Sequence, residues 1–383
     1  MTAENRLNAL LQVPQGSFEL VRQPRDNKLR AWDAADEYLL QHLYESGVIS
    51  PQLRILILND AFGALGVALA DYSPASWSDS FLAQQALHTN LALNGYPEGQ
   101  VSINHDIDMG AGPVDLALIK IPKTLALLEH QLYQLRKALH AGSQIVAAGM
   151  ARYVHRSTLA RFEAILGPTS TTFARKKSRL ILVQRDHSLN QGQSPYPDCY
   201  ELEVNRVFSL INHAALFSRD RLDAGTRLLL EHLPIDSSIR DIIDLGCGNG
   251  VLGMIAAELN PDSRLLFCDE SYMAIASARQ NFQTAFGDAR EAQFQVGDGL
   301  EGVGSESSDL ILINPPFHQQ HQMGDTVAWR MFQQSHRVLR KGGELRIVGN
   351  RHLGYHAKLK KLFGRCTLIA SNHKFVILSA RKT

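Results

Sequence analysis

Ile242-Ile243-Asp244-Leu245-Gly246-Cys247-Gly248-Asn249-Gly250-Val251-Leu252 reads as a buried strand, a glycine turn and the start of a helix. The β-branched run favours a strand. Glycines at 246, 248 and 250 allow a tight turn and close approach of the backbone to a ligand. A strand passing through such a turn into a helix belongs to an α/β fold with a mostly parallel sheet covered on both faces. The pattern extends outward. Arg264–Cys268, Gln293–Val296, Asp309–Asn314 and Glu344–Val348 are strand candidates beside Asp241–Leu245, with amphipathic helical stretches between them. In the first half the candidates are Arg54–Leu58, Val114–Lys120 and Gln144–Ala148. Each half ends in a hairpin-like pair, Thr169–Phe173 with Arg179–Gln184 and Thr367–Ala370 with Lys374–Ser379.

The halves repeat one another at a period of about 190 residues. Ala61–Ala70 lies over Gly248–Ala257, Ser80–Asn94 over Ser271–Ala285 with Asn90 matching Asn281, and Val114–Ile119 over Ser308–Ile313. The matches keep their order, as tandem domains of one fold would. The expected division is a first domain over 1–190, a linker over 191–200 where Gly, Pro and Ser collect, and a second domain over 201–383.

Composition limits the function classes. A chain of 383 residues with 45% hydrophobic and 20% charged residues is an ordinary globular protein of two or three domains. The net charge of +1 hides an imbalance: Arg351–Thr383 carries eight basic residues and no acid, which suits a polyanionic partner. The four cysteines, Cys199, Cys247, Cys268 and Cys366, form no C-x-x-C pair, so neither a zinc site nor a disulfide framework is expected. Met1–Pro14 lacks the pattern of a signal peptide and no apolar run matches a membrane span, so a cytoplasmic protein without a membrane partner is expected.

The strand-end acid identifies the ligand of the glycine turn. Asp244 stands two residues before Gly246, as in S-adenosylmethionine (AdoMet) enzymes. A carboxylate repels a pyrophosphate but attracts an α-ammonium or a sulfonium. Asp269 ends the next strand and can accept ribose hydroxyls. Asp298, followed by Gly299, ends the third and could hold the adenine amine. Asp244, Gly246, Cys247, Gly248, Gly250, Asp269, Asp298 and Gly299 are therefore the expected cofactor site.

Asn314-Pro315-Pro316-Phe317 leaves the fourth strand at the same edge. An exocyclic amine on a base is a poor nucleophile, because its lone pair is delocalised into the ring. The Asn314 side-chain oxygen and the Pro315 carbonyl can each accept one amine hydrogen and aim the lone pair at a methyl group. Pro316 stiffens the turn, and Phe317 can stack on the base. These four are the expected catalytic residues. His318, His321 and His336 lack the cysteine or carboxylate company of a metal site and are read as polar loop residues; no metal is expected.

The first half lacks these features. Lys120-Ile121-Pro122-Lys123 stands where the second half has Asn314–Phe317, and Leu58-Asn59-Asp60-Ala61-Phe62-Gly63 lacks two glycines and the strand-end acid. A fold kept without its chemistry is expected to bind or position substrate. Lys120, Lys123, Arg175, Lys176, Lys177 and Arg179 are its candidate phosphate contacts, with Arg351, Lys358, Lys360 and Lys361 in the second half.

Phe217-Ser218-Arg219, Leu222-Asp223-Ala224-Gly225, Asp244–Gly250 and Asn314–Phe317 together resemble the guanine-N2 methyltransferases of bacterial ribosomal RNA. Ala34–Leu40, Leu58–Leu65, Pro122–Glu129, Asn314–His321, Asn350–Leu353 and Lys358–Lys361 are similar to the ribosomal RNA large subunit methyltransferase G family within them. The resemblance covers nearly the whole chain and is weak over the first 25 residues and Gln184–Tyr200. It implies two tandem class I, Rossmann-like AdoMet-methyltransferase domains, the first degenerate, with mostly parallel seven-stranded sheets ending in a hairpin. It also implies AdoMet-dependent N2-methylation of one guanosine in 23S ribosomal RNA; free RNA and a large-subunit assembly particle both stay open as the substrate, and so does the oligomeric state, with a monomer favoured. The small-subunit methyltransferase C family shares the active half, so 16S ribosomal RNA stays open as the substrate. Methylation of a protein glutamine or a DNA adenine, and a catalytically dormant RNA-binding assembly factor, are the rival readings.

Overall fold

The structure, a computed structural model, describes residues 9–26, 28–110, 112–189, 192–219, 221–316 and 321–383, with backbone alone at 321–324. It divides into two compact units, Met1–Tyr196 and Pro197–Thr383.

The first unit runs β1 (Leu10–Val13), β2 (Gly16–Glu19), α1 (Ala34–Ser46), β3 (Ile55–Leu58), α2 (Ala64–Ala68), β4 (Ala75–Trp77), α3 (Phe81–Leu93), β5 (Ser102–Asn104), β6 (Val114–Lys120), α4 (Leu125–Ala138), β7 (Leu139–Met150), α5 (Arg156–Ile165), β8 (Thr169–Thr171) and β9 (Ser178–Val183). The second runs β10 (Asp198–Glu203), β11 (Val207–Asn212), α6 (Ala224–Leu230), β12 (Asp241–Leu245), α7 (Val251–Leu259), β13 (Arg264–Asp269), α8 (Tyr272–Phe286), β14 (Ala292–Val296), β15 (Ser308–Ile313), α9 (His321–Val338), β16 (Leu339–Asn350), α10 (Tyr355–Phe363), β17 (Thr367–Ser371) and β18 (Phe375–Arg381).

Each unit holds one seven-stranded sheet, in the order β5-β4-β3-β6-β7-β9-β8 and β14-β13-β12-β15-β16-β18-β17. The two orders are the same permutation. Five strands are parallel, and the closing hairpin is antiparallel. Successive strand residues point to opposite faces, and each face has its own core. In the second unit Ile242, Leu310 and Leu312 pack with Val251, Ile255 and Phe282 on one side. Ile243, Leu245, Ile311 and Ile313 pack with Phe332, Leu359 and Phe363 on the other. The first unit divides Ile55 and Ile57 from Leu56 and Leu58 in the same way. No helix among the described residues is long and apolar enough to cross a membrane.

Six strands were not anticipated. β4 and β5 are three residues each, and Ser102-Ile103-Asn104 carries a single apolar residue, too few to show a period. Two antiparallel hairpins, β1–β2 and β10–β11, stand outside the main sheets. Asp198–Tyr200, expected as linker, is the first half of β10. Its pairing with β11 puts Leu202 opposite Phe208 and Tyr200 opposite Leu210. That alternation of apolar and polar residues was present in the sequence and would have disclosed the hairpin.

The internal repeat extends to single hydrogen bonds. Asn281 is buried on α8. Its Oδ1 accepts from the Ile211 N–H at 2.7 Å, and its Nδ2 donates to the carbonyls of Ile211 at 2.9 Å and Asn249 at 3.0 Å. It ties the β10–β11 hairpin to the glycine turn. Asn90 on α3 does the same in the first unit, accepting from Val21 N–H at 2.8 Å and donating to the carbonyls of Val21 at 2.9 Å and Phe62 at 2.7 Å. Replacing either asparagine with alanine removes three hydrogen bonds and strands a backbone N–H. At about 1 kcal/mol each, the loss is roughly 2–4 kcal/mol, read as a lower urea midpoint for the affected unit. Asn281→Ala should in addition loosen the Asn249 turn and weaken ligand binding there, while Asn90→Ala should leave that binding unchanged.

Candidate active site

β12 and β15 are adjacent parallel strands, with Leu245 in register with Ile313. From β12 the chain continues outward to β13 and β14, then returns to β15 on the other side. Helices α7 and α9, which follow them, pack on opposite faces. A crevice opens where the winding direction reverses. The Gly246–Gly250 turn and the Asn314–Pro316 segment leave the sheet at that crevice, on neighbouring strands.

Asp244 is buried, with 1% of its surface exposed. Its Oδ2 accepts from the Gly253 N–H at 2.8 Å. This satisfies a donor in the first turn of α7, which has no side-chain cap from its own N-cap residue. Its Oδ1 is buried and meets no hydrogen-bond donor among the described residues. Burial, with the Asp269 charge adding to it, pushes the carboxyl up to about 8. Asp269 accepts from the N–H groups of Gly248 and Ser271, each at 3.0 Å, and burial raises its carboxyl too. Neither carboxylate has an ion-pair partner among the described residues. Gly246, Gly248 and Gly250 have φ of 70°, 55° and 82°. A Cβ on Gly248 would meet nothing within 4 Å, so the turn faces open space there. A Cβ on Gly250 would stand 2.9 Å from that of Ala278, so this glycine answers to packing. An orphaned buried carboxylate oxygen beside an open glycine turn fits a cationic amino-acid ligand such as AdoMet.

Three expected cofactor residues have other work. Cys247 turns its thiol into the apolar core, where burial and then the nearby carboxylates raise it well above its usual value. Both oxygens of Asp298 are taken by the Arg330 guanidinium, one at 2.7 Å, so it is not a free acceptor for an adenine amine. Gly299, at φ 62°, leaves room for Gln334, whose Oε1 would lie 2.1 Å from an added Cβ. That Oε1 accepts from the Leu300 N–H at 3.0 Å.

Asn314 is half-buried at the end of β15. Its Nδ2 donates to the Thr226 hydroxyl at 2.7 Å and to Asp223 Oδ2 at 3.4 Å. Its Oδ1 is buried without a partner among the described residues. Pro315 is buried and Pro316 exposed. Phe317 and His318 lie outside the described residues. His336 packs its ring against Phe363, with centroids 4.9 Å apart. Asp223 and Thr226, at the N-terminus of α6, were not singled out for any role. Leu222-Asp223-Ala224-Gly225-Thr226 announces a helix start by its N-cap acid, but nothing local shows what the side chains would touch.

The first unit fills the corresponding space with its own side chains. Asn59, at φ 62°, follows β3 as Gly246 follows β12. Its Nδ2 reaches the Lys120 carbonyl at 3.0 Å and Gln131 Oε1 at 2.8 Å, and Gln131 Nε2 returns a bond to Asn59 Oδ1 at 2.7 Å. Asp60 Oδ2 accepts from the Gly66 N–H at 2.8 Å, so a turn residue replaces the strand-end acid. Lys120 was expected to meet phosphates. It is buried instead, with its ammonium 2.8 Å from Asp33 and 2.6 Å from Asp36. Lys123, Lys177, Arg179, Lys360 and Lys361 are exposed. Arg175 and Lys176 are exposed in surface ion pairs with Glu45 and Glu37. Arg351 donates to the Asn372 carbonyl, and Lys358 pairs with Asp325.

Residues 8–187 match the family model described as "RLMG N-terminal domain", and residues 207–379 match "Methyltransferase small domain". The protein "Ribosomal RNA large subunit methyltransferase G" of Pseudomonas paraeruginosa is 50% identical over 376 residues, covering 97% of this chain and 100% of that one. Its namesake in Streptomyces coelicolor is 47% identical over 378 residues, with the same coverage. Among solved structures, a T. thermophilus 16S rRNA N2 methyltransferase in complex with AdoMet and guanosine aligns with a TM-score of 0.75 at 19% identity, over 99% of this chain and 100% of that one. That likeness carries the paired-domain fold, and the near-full-length identities carry the family. The chain belongs to the ribosomal RNA large subunit methyltransferase G family.

Proposed function

We propose that this protein transfers the methyl group of AdoMet to N2 of a guanosine in 23S ribosomal RNA, and that the unpartnered Asn314 oxygen beside the carboxylate-lined glycine turn carries this reading. Bound AdoMet supplies a methyl group activated by its sulfonium. Asp244 and Asp269 would hold the cofactor, with the backbone at Gly246 and Gly248 making room for it. Asn314 Oδ1 accepts one hydrogen of the guanine amine and the Pro315 carbonyl the other. Two acceptors draw the nitrogen toward tetrahedral geometry and fix the direction of its lone pair. Pro316 stiffens the segment, and Phe317 stacks on the base. No strong base is required, because the proton leaves after the methyl has moved. The rate enhancement comes from alignment and electrostatic placement. The target base must be unpaired or flipped to reach this crevice.

The first unit, its crevice filled by the Asn59–Gln131 amide pair, serves to bind and position RNA through Lys123, Arg175, Lys176, Lys177 and Arg179. Arg351, Lys358, Lys360 and Lys361 are the RNA contacts of the second unit. The exposed ion pairs of Arg175 and Lys176 are cheap to exchange for phosphates. The enzyme works as a cytoplasmic monomer, on free RNA or on an assembling large subunit.

Labelled methyl transfer to unmodified 23S and 16S ribosomal RNA, with nucleoside analysis, tests the reading. N2-methylguanosine in 23S alone is expected; label in 16S alone would replace the substrate, and label in neither RNA nor large-subunit particles would remove the function. Asn314→Ala should lower transfer by about 10²–10³-fold, the scale of losing one well-placed polar contact, with AdoMet affinity nearly intact. Full activity in that variant would remove the clamp. AdoMet should bind with a stoichiometry of one per chain. Lys120→Met should leave that binding unchanged, yet cost the first unit about 3–5 kcal/mol in a denaturant titration, because Asp33 and Asp36 lose their counter-charge.

Asp244 sets a pH dependence. Its folded-state value of about 8 lies above the ordinary carboxylate value of about 4, so the free protein binds a proton that the unfolded chain releases. Its contribution to stability is present below pH ~4 and is lost as pH rises through about 8. A cationic ligand favours the ionised form. AdoMet binding at pH 7 should therefore release a fraction of a proton, read by calorimetry in buffers of different ionisation enthalpy. Asp244→Asn should bind without that release; an unchanged release would assign the proton elsewhere.

A further inference from the structure

A primary amide is nearly symmetric in shape, and a half-turn about its last bond exchanges a donor for an acceptor at little steric cost. For Asn314 the two orientations differ completely in consequence. With oxygen forward it accepts from an amine; with nitrogen forward it sets donor against donor. The crevice side of the residue offers nothing to choose between them, since Oδ1 has no partner there. The choice is made behind it, at the first turn of α6.

Asp223 is the N-cap of that helix. Its Oδ2 accepts from the N–H groups of Gly225 at 2.9 Å and Thr226 at 3.1 Å. An oxygen that already accepts from two N–H groups has no proton to offer, so the Asn314 atom facing it at 3.4 Å is the NH2. The Thr226 hydroxyl could donate or accept by itself. With the amide's polarity set by Asp223, it accepts from Nδ2 at 2.7 Å and fixes the amide's position. Thr226 is itself buried, so no solvent competes for this contact.

The first unit repeats the device with a different load. Asp33 is the N-cap of α1 and accepts from the Ala35 and Asp36 N–H groups at 2.8 Å and 3.3 Å. The two side chains that meet Lys120 are those of Asp33 and of Asp36, three residues on, as Asp223 and Thr226 meet Asn314. In both units a helix N-cap and the residue three later grip the side chain at the end of the strand, Lys120 as the last residue of β6 and Asn314 as the first after β15. An ammonium gripped this way offers only donors. An amide gripped this way leaves one oxygen free.

We propose that Asp223 and Thr226 are positioning residues that lock the Asn314 amide with its oxygen toward the amine to be methylated. The proposal rests on the reading of Asn314 as an acceptor for the guanine amine. Steady-state methyl transfer to 23S ribosomal RNA by the full chain tests it, with Asn314→Ala measured alongside. Thr226→Val removes the hydroxyl at nearly constant volume, Thr226→Ala guards against overpacking, and Thr226→Ser keeps the acceptor. The Val and Ala variants are expected to lose about tenfold or more in kcat, the scale of a misaligned contact. KM for AdoMet and the melting temperature should stay near wild type, and Ser should restore kcat. Asp223→Ser keeps a good N-cap but withdraws the carboxylate, and should likewise lower kcat without moving KM for AdoMet.

Wild-type kcat in the Thr226→Val and Thr226→Ala variants overturns the proposal. So does a loss that appears as weaker AdoMet binding or lower melting temperature, or a Ser variant as impaired as Val. An active Asn314→Ala removes the clamp reading itself. An inactive Asn314→Ala beside fully active Thr226 variants removes only the positioning role.

Discussion

The pairing of β12 with β15 is the constraint on which the second unit depends. Leu245 lies in register with Ile313, so the residues that follow them, Gly246 and Asn314, leave the sheet on neighbouring strands. The helices after those strands go to opposite faces, and the space between them cannot be closed by either. The crevice is thus a consequence of winding order. Its contents are not, because the first unit winds in the same order and fills the equivalent space with an amide pair.

The contrast between the units separates what the fold needs from what the chemistry needs. Both need an acceptor for the glycine N–H near the start of the helix after the central strand; Asp60 supplies it in one and Asp244 in the other. Only Asp244 does so from the strand itself, where its second oxygen is left buried and unpaired. Such a group opposes folding, and burial accordingly drives its carboxyl toward the neutral form. The Asn314 oxygen is unpaired in the same way. Lys120 shows the alternative, in which a buried ammonium is held by the buried Asp36 and the exposed Asp33 and nothing is left for a substrate. A buried polar atom without a partner needs an explanation, and for the Asp244 and Asn314 oxygens, on neighbouring strands, a ligand in the crevice would supply one.

Much of this was legible because the signals are local. The glycine turn after Ile242-Ile243, the proline pair after Leu310–Ile313 and the terminal hairpins each follow from backbone preferences of adjacent residues. The match of Asn90 to Asn281 was visible as a repeat, and the structure gives its reason in three hydrogen bonds apiece. β5 was not legible, because a three-residue strand of Ser, Ile and Asn owes its state to pairing with β4 and not to its own preference. Asp298 and Gly299 were read as ligand contacts from their place after a strand. Their partners, Arg330 and Gln334, come from a helix more than thirty residues away.

The sequence by itself determined the α/β class, the duplication, the glycine turn after β12 and the Asn-Pro-Pro segment after β15, since each is written in residues a few positions apart. Tertiary structure alone decided which charges are free. Lys120 has the composition of a phosphate contact and is consumed by Asp33 and Asp36; the Asn314 amide has two faces, and Asp223 with Thr226, some ninety residues earlier, selects one. Whether a polar side chain is available depends on what stands within about 3 Å of it, and chain folding sets that neighbourhood by bringing together residues that sequence order keeps apart.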